Sequence, residues 1–176
     1  MTMWVFGYGS LLWNPGFPVA HSVVATLPEY ARSFCMRSIH HRGTVADPGL
    51  VLALDELSGA TCEGLALAVA DGHEDQTLAM LRERELISSA YLEKDLTVTP
   101  QGGAPVTAVT YVIDAEHEQY CGGLALEEQA RIIAQAVGGR GPNTEYLFNT
   151  TAHLAEIGLH DTDLEWLTIR VRALTA

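Results

Sequence analysis

The stretch Val5-Phe6-Gly7-Tyr8-Gly9-Ser10-Leu11-Leu12-Trp13, followed by Asn14-Pro15-Gly16-Phe17-Pro18, decides whether this chain builds a doubly wound nucleotide-binding sheet. Two glycines one residue apart at the end of an apolar strand let the backbone turn sharply and expose N–H groups, as a dinucleotide fingerprint does. That fingerprint also needs a third glycine and a helix that starts at once. Leu12 occupies the third position, and Pro15 and Pro18 stop a helix from opening, so the nucleotide reading fails its own context. What remains is a glycine turn after a strand. Its amides can cradle a carboxylate or phosphate, or simply reverse the chain, and the stretch alone leaves both readings open.

Outward from this turn, strands dominate the first half: Met3 to Tyr8, a stretch within Val19 to Ser38, Leu50 to Asp55, and Cys62 to Val69, separated by Gly, Pro and Asp turns. The spacing predicts a helix over Leu78 to Ile87. Tyr91 to Thr99 and Val106 to Ile113, dense in β-branched residues, form a hairpin closed by Pro100-Gln101-Gly102-Gly103-Ala104-Pro105. Beyond Tyr120 the pattern is helical: Leu126 to Val137, a segment from Asn143, a plain capping residue, to Gly158, and Asp161 to about Arg172. In the last, Asp161 caps, Asp163 and Glu165 sit in the first turn, Arg170 and Arg172 in the final one, and Leu164, Leu167 and Val171 share a face. Strands first and helices later imply an α+β fold with a mixed or antiparallel sheet. At 176 residues with 48% hydrophobic content, one domain spanning 1–176 is expected.

A net charge of −12 opposes binding to a phosphate backbone or an anionic membrane surface. No apolar run approaches the ~20 residues that span a bilayer. The start Met1-Thr2-Met3-Trp4 lacks a basic signal-peptide region, and Cys35, Cys62 and Cys121 are odd in number and unpaired in pattern, so a reducing cytoplasmic setting is expected. His40 and His41 are adjacent and point differently, no HExxH or Cys/His cluster occurs, and no metal is expected. Cys35, between Phe34 and Met36, reads as a buried thiol rather than a nucleophile.

Glu85 is less ordinary. At ~100° per residue it falls between the directions of Leu78 and Leu81, which aims a carboxylate at an apolar face. Burial disfavours its charge and moves its pKa towards neutrality, as an acid and base working near pH 7 requires. The chain around it, Arg82-Glu83-Arg84, equally suits a solvated charge run, and spacing does not choose between the two.

Trp4 to Leu11, Arg32-Ser33-Phe34 with Ser38 and His41-Arg42-Gly43-Thr44, Pro48-Gly49, Arg84-Glu85 with Tyr91, and Asn143-Thr144-Glu145-Tyr146-Leu147-Phe148 occur in one order. Together they resemble the glutathione-specific γ-glutamylcyclotransferases, the ChaC family, from Met3 to about Arg172. The resemblance implies a compact β-barrel flanked by helices. It also implies a substrate-binding turn of Val5, Phe6, Gly7, Tyr8, Gly9, Ser10 and Leu11 that holds a γ-glutamyl head, and a catalytic glutamate at Glu85 rather than Glu83. Tyr146 is implied as a residue lining the pocket. Two departures stand out: Ser88-Ser89-Ala90-Tyr91 replaces a Gly-Gly-Tyr turn, and Arg140-Gly141-Pro142 differs from a small-residue turn.

The implied reaction joins the α-amine of the γ-glutamyl unit to its own γ-carbonyl and releases 5-oxoproline. Its partner is a small molecule and it needs no cofactor. The alternatives are cyclisation of other γ-glutamyl amines or amino acids, and a non-catalytic γ-glutamyl-binding module.

Overall fold

The computed structural model describes residues 2–86 and 90–176. Ile87, at the end of the expected helix, and the Ser88-Ser89 pair lie outside the described residues. In chain order the elements are β1 (Trp4–Gly7), a single 3-10 turn (Ser10–Leu12), β2 (Val19–Ser38), β3 (Gly49–Val69), α1 (Glu74–Glu85), β4 (Tyr91–Pro100) and β5 (Val106–Ile113). They continue with α2 (Leu126–Gln135), β6 (Val137–Gly138), β7 (Gly141–Pro142), α3 (Asn143–Glu156) and α4 (Thr162–Thr175). The chain divides into two compact units, one of Met1–Arg32 with Leu54–His117, the other of Ser33–Ala53 with Glu118–Ala176.

The five long strands close into a barrel in the order β1-β3-β2-β4-β5. Closure depends on β1, which pairs antiparallel with β3 (Val5 opposite Leu67) and parallel with β5 (Val5 opposite Val109). That parallel contact makes the sheet mixed. The expected hairpin is present as β4 and β5, in register from Tyr91 opposite Ile113 to Val98 opposite Val106.

One expectation is corrected here. Leu50 to Asp55 and Cys62 to Val69 are not two strands but parts of one, β3. The polar residues between them include Gly59, which reads as a turn residue in the sequence and in the strand adopts a left-handed φ of 84°. The strand continues through this residue, whose N–H donates to the Glu29 carboxylate at 3.0 Å. Glu29 itself, on β2, has φ 68°.

Helix α1 buries Thr77 and Leu81, while Leu78 is only half-buried. The inward side is therefore centred on Thr77 and Leu81 rather than Leu78 and Leu81, and one to two turns further on it carries Arg84 and Glu85. Arg82 and Arg84 in its last turn oppose the negative end of the helix dipole.

In the second unit, Ala130 and Ile133 of α2, Leu147 and Leu154 of α3, and Leu164, Leu167 and Val171 of α4 form the apolar core. The Thr151 and Thr168 hydroxyls meet at 2.9 Å between α3 and α4. Arg170 reaches Glu127 in a two-pronged pair at 2.7 and 2.9 Å. With Arg131 it pulls the Glu127 carboxyl down to about 2. Arg170 thus serves α2 rather than the last turn of its own helix, which runs on to Thr175.

Helix α2 stops at Gln135, short of the expected Val137. Ala136 turns extended, Val137-Gly138 pairs with Gly141-Pro142, and the Gly139 and Arg140 N–H groups donate to the His40 and His41 carbonyls. Those pairings outbid a further helical turn. Asp161 caps α4 as expected, accepting from the Leu164 N–H at 3.1 Å. Asp161→Ala is expected to cost about 1 kcal/mol, which for a chain of this size lowers the thermal midpoint by about 2–4 °C. A midpoint unchanged within 1 °C would show the cap to be idle, by calorimetry.

Candidate active site

The glycine turn is held from three sides. β1 delivers it from a ladder in which Val5 and Phe6 are fully buried, so those two residues set where the turn begins. Arg32 donates from one guanidinium nitrogen to the Tyr8 carbonyl at 3.0 Å and the Glu63 carbonyl at 2.9 Å, tying the turn to β3. Within the turn, the Leu12 N–H donates to the Gly9 carbonyl at 2.9 Å and the Asn14 N–H to the Ser10 carbonyl at 2.8 Å.

The Ser10 and Leu11 amides, at the start of this 3-10 turn, therefore have no carbonyl partner inside it. A Cβ at Gly7 would sit 3.2 Å from the Leu11 Cβ, so glycine lets the strand end fold back on the turn. At Gly9 a Cβ would meet nothing within 4 Å, which leaves open space beside the backbone there. Tyr8 and Leu11 are buried and Ser10 is half-buried.

Glu85 is the last residue of α1 and its side chain is 17% exposed. Burial raises its pKa, and the nearby Arg84 charge, with Nε 3.7 Å from the carboxylate, works against that rise. Glu83 is exposed. Arg84 connects Glu85 to the turn: its Nη2 donates to the Ser10 Oγ at 2.9 Å, and its Nη1 to the Asn14 carbonyl at 2.8 Å and the Pro15 carbonyl at 3.3 Å. Ser10 and Glu85, 75 positions apart in sequence, are thus bridged by one guanidinium.

A second carboxylate sharpens the contrast. Glu93 on β4 accepts from Arg82 Nε and Nη2, both at 2.9 Å, and from the Tyr111 hydroxyl at 2.8 Å. The Arg82 bonds hold Glu93 below the usual carboxylate range. Tyr111, 2% exposed on β5, is pushed far above its ordinary range by burial, then by Glu93, with a smaller push from Glu85. It stays a protonated donor. Of the two carboxylates, Glu93 is held below the usual range by its bonds to Arg82, whereas burial holds Glu85 above it. Sequence reading did not single out Tyr111, Glu93 or Arg82. Only the register that sets Glu93 directly opposite Tyr111 brings them together.

Tyr146 belongs to the second unit. Its hydroxyl accepts from the Leu52 N–H at 3.1 Å, its ring meets Phe34 edge-on at 6.0 Å between centroids, and the Arg42 guanidinium lies 5.7 Å from its centroid. Arg42 in turn donates to the Pro142 carbonyl at 3.1 Å and pairs with Glu145 at 3.4 Å. The expected cap Asn143 does not cap α3. Completely buried, it accepts from the Leu50 N–H at 2.8 Å and donates to the Leu50 carbonyl at 2.9 Å. Cys35 is buried, as its neighbours predict. Among the described residues, no three His, Cys, Asp or Glu side chains gather as a metal-binding group, and no helix is long and apolar enough to cross a membrane.

A closed mixed barrel, with a glycine turn at the end of β1 and a mostly buried carboxyl at the end of α1, defines the class, and residues 3–174 match the family described as ChaC-like protein. This chain belongs to that family. It is 35% identical over 174 residues to the glutathione-specific γ-glutamylcyclotransferase of Escherichia coli (strain K12), across 99% of this chain and 74% of that protein. To γ-glutamylcyclotransferase 2-1 of Arabidopsis thaliana it is 38% identical over 165 residues, across 89% of this chain and 76% of the relative. The crystal structure of a γ-glutamyl cyclotransferase specific to glutathione from yeast superposes with a TM-score of 0.84 over 98% of this chain and 96% of that one. At 23% identity that similarity speaks for the fold.

Proposed function

We propose that this chain is a γ-glutamylcyclotransferase that cleaves glutathione to 5-oxoproline and cysteinylglycine, with Glu85 as the proton carrier. The observation that carries the assignment of Glu85 is its mostly buried carboxyl, linked through Arg84 to the Ser10 turn. Membership of the ChaC-like family, and relatives named for this reaction, support the substrate.

The α-ammonium of the γ-glutamyl unit gives a proton to the Glu85 carboxylate. The freed amine attacks the γ-carbonyl of the same unit and closes a five-membered ring, a step with the large effective-molarity advantage of an intramolecular reaction. Negative charge gathers on the carbonyl oxygen, and the Ser10 and Leu11 amides are the proposed donors to it. The bond from the γ-carbon to the cysteinyl nitrogen then breaks as Glu85 gives its proton to that nitrogen. The ring nitrogen, on becoming an amide N–H, sheds a second proton that Glu85 passes to the departing amine, which leaves as an ammonium. No water is consumed, and Glu85 ends as it began. Tyr8, Gly9 and Ser10 bind the γ-glutamyl head in this reading, on the open side of Gly9.

Product analysis tests it. Mixed with glutathione, the pure protein should release 5-oxoproline and cysteinylglycine in equal amounts by mass spectrometry, and more slowly with γ-glutamyl-alanine. Free glutamate in place of 5-oxoproline would mean hydrolysis and overturn the cyclisation. Faster turnover of γ-glutamyl-alanine would move the substrate to other γ-glutamyl amino acids.

A further inference from the structure

A guanidinium offers five N–H donors in a rigid plane, and Arg84 spends them on two different things. Nη1 and Nη2 face the turn, bonding the Ser10 hydroxyl and the carbonyls of Asn14 and Pro15. Nε faces Glu85 at 3.7 Å, beyond hydrogen-bonding distance but well within the reach of its charge. Gly16, at φ 78°, makes room for this: a Cβ there would come within 3.4 Å of Arg84 Nη1. The side chain is 27% exposed, so its bonds to the turn are partly sheltered from water.

We propose that Arg84 is a positioning residue for the reaction: it braces the Ser10 to Pro15 segment against the end of α1 and keeps a positive charge beside the Glu85 carboxylate. This rests on the reading of Glu85 as the proton carrier. The division of labour follows from the geometry. The fork sets where the turn amides stand, which governs substrate binding. The charge stabilises the ionised form of Glu85, which governs how far down in pH the carboxylate can accept a proton.

The groups that face Glu85 from the packed elements leave Arg84 as the charge that matters. From β5 comes Tyr111, held protonated by burial and by Glu93, so it contributes no charge in the working range. Glu93 of β4 is bonded to Arg82, which neutralises it locally. Burial drives Glu85 up and Arg84 is the cation that opposes it.

The two roles separate in two variants. Arg84→Met removes both fork and charge; Arg84→Lys keeps the charge but lacks the planar fork that reaches three acceptors at once. The measurement is 5-oxoproline release from glutathione across pH for the wild type, both Arg84 variants and Glu85→Gln, with circular dichroism to establish folding. In Arg84→Met the acid limb of kcat/KM should move to higher pH, losing about tenfold in rate on the acid side for each unit moved, and KM should rise about tenfold. In Arg84→Lys the limb should stay at the wild-type position while KM stays raised.

An acid limb in folded Arg84→Met at the wild-type pH overturns the inference. Should Arg84→Met not fold, Arg84→Lys decides alone: raised KM with an unmoved limb supports the inference, and wild-type KM overturns it. Near wild-type turnover by Glu85→Gln is the separate outcome that removes the underlying reading, whatever the Arg84 variants do.

Discussion

Replacing Glu85 by glutamine is expected to lower glutathione turnover by about 10²–10⁴-fold while leaving substrate binding in place, because an amide keeps the shape but carries no proton. Binding by calorimetry and 5-oxoproline release separate the two effects, and a glutamine variant with near wild-type release would end the assignment. A second readout is independent of turnover. Burial raises the folded-state pKa of Glu85 above its value in the unfolded chain. The stability this group contributes is therefore fully present below the unfolded pKa and is lost as pH rises through the folded one. Above that point the folded chain must hold a carboxylate that water would hold better. Glu85→Gln has no charge to bury, so its thermal midpoint should exceed the wild type's at pH 8, and the gap should close as pH falls towards 4. The site would then carry a local instability that the variant relieves, the exchange of stability for activity common at functional positions. A midpoint gap that is constant across pH would mean that Glu85 titrates no differently in the folded and unfolded chains.

The largest stability effect is expected at Asn143. Its side-chain amide satisfies both polar groups of the Leu50 backbone, and all the atoms involved are buried. Asn143→Ala orphans a donor and an acceptor, each costing about 1–3 kcal/mol, so a loss of about 2–6 kcal/mol is expected. For a chain of this size the midpoint falls by on the order of 10 °C. Asn143→Asp discriminates this role from helix capping. Aspartate caps as well as asparagine, so a capping role leaves that variant near wild type. In the bridging role, the carboxylate loses the donor to the Leu50 carbonyl and faces that oxygen instead, and most of the loss should persist. Thermal unfolding of the two variants side by side decides it.

Asn143 also shows where the sequence stops being legible. Asparagine before a helical run has a local reading, the cap, and a distant one, the Leu50 bridge 93 positions away; only the local one can be read from neighbours. The same divide separates the other successes and misses. Helix α4 is legible because Asp161, its cap, and Leu164, Leu167 and Val171 lie within three turns of one another. The β4–β5 hairpin is legible because its turn and both arms are contiguous. The continuity of β3 is hidden because a left-handed glycine within a strand and one within a turn look alike in sequence. At the site, the placement of Glu85 on an inward side is readable from helical period, though the side itself is centred on Thr77 and Leu81. The motifs of the ChaC-like family carry the rest. What no period or motif reveals is the guanidinium between Ser10 and Glu85, or the pairing of Glu93 with Tyr111, since both depend on how distant strands and helices meet.

All four residues of β1 are stitched to β3 on one flank, and Trp4 and Val5 to β5 on the other. A ring closed in this way shortens the margin on which a stranger's strand can begin to zip, a protection that open sheets must secure with charges and prolines. The protection has a temporal side. Trp4 and Val5 leave the ribosome about a hundred residues before Ala108 and Val109, so the keystone of the ring is made early and seated late. Until it is seated, the flanks of β3 and β5 that β1 covers in the folded chain are open.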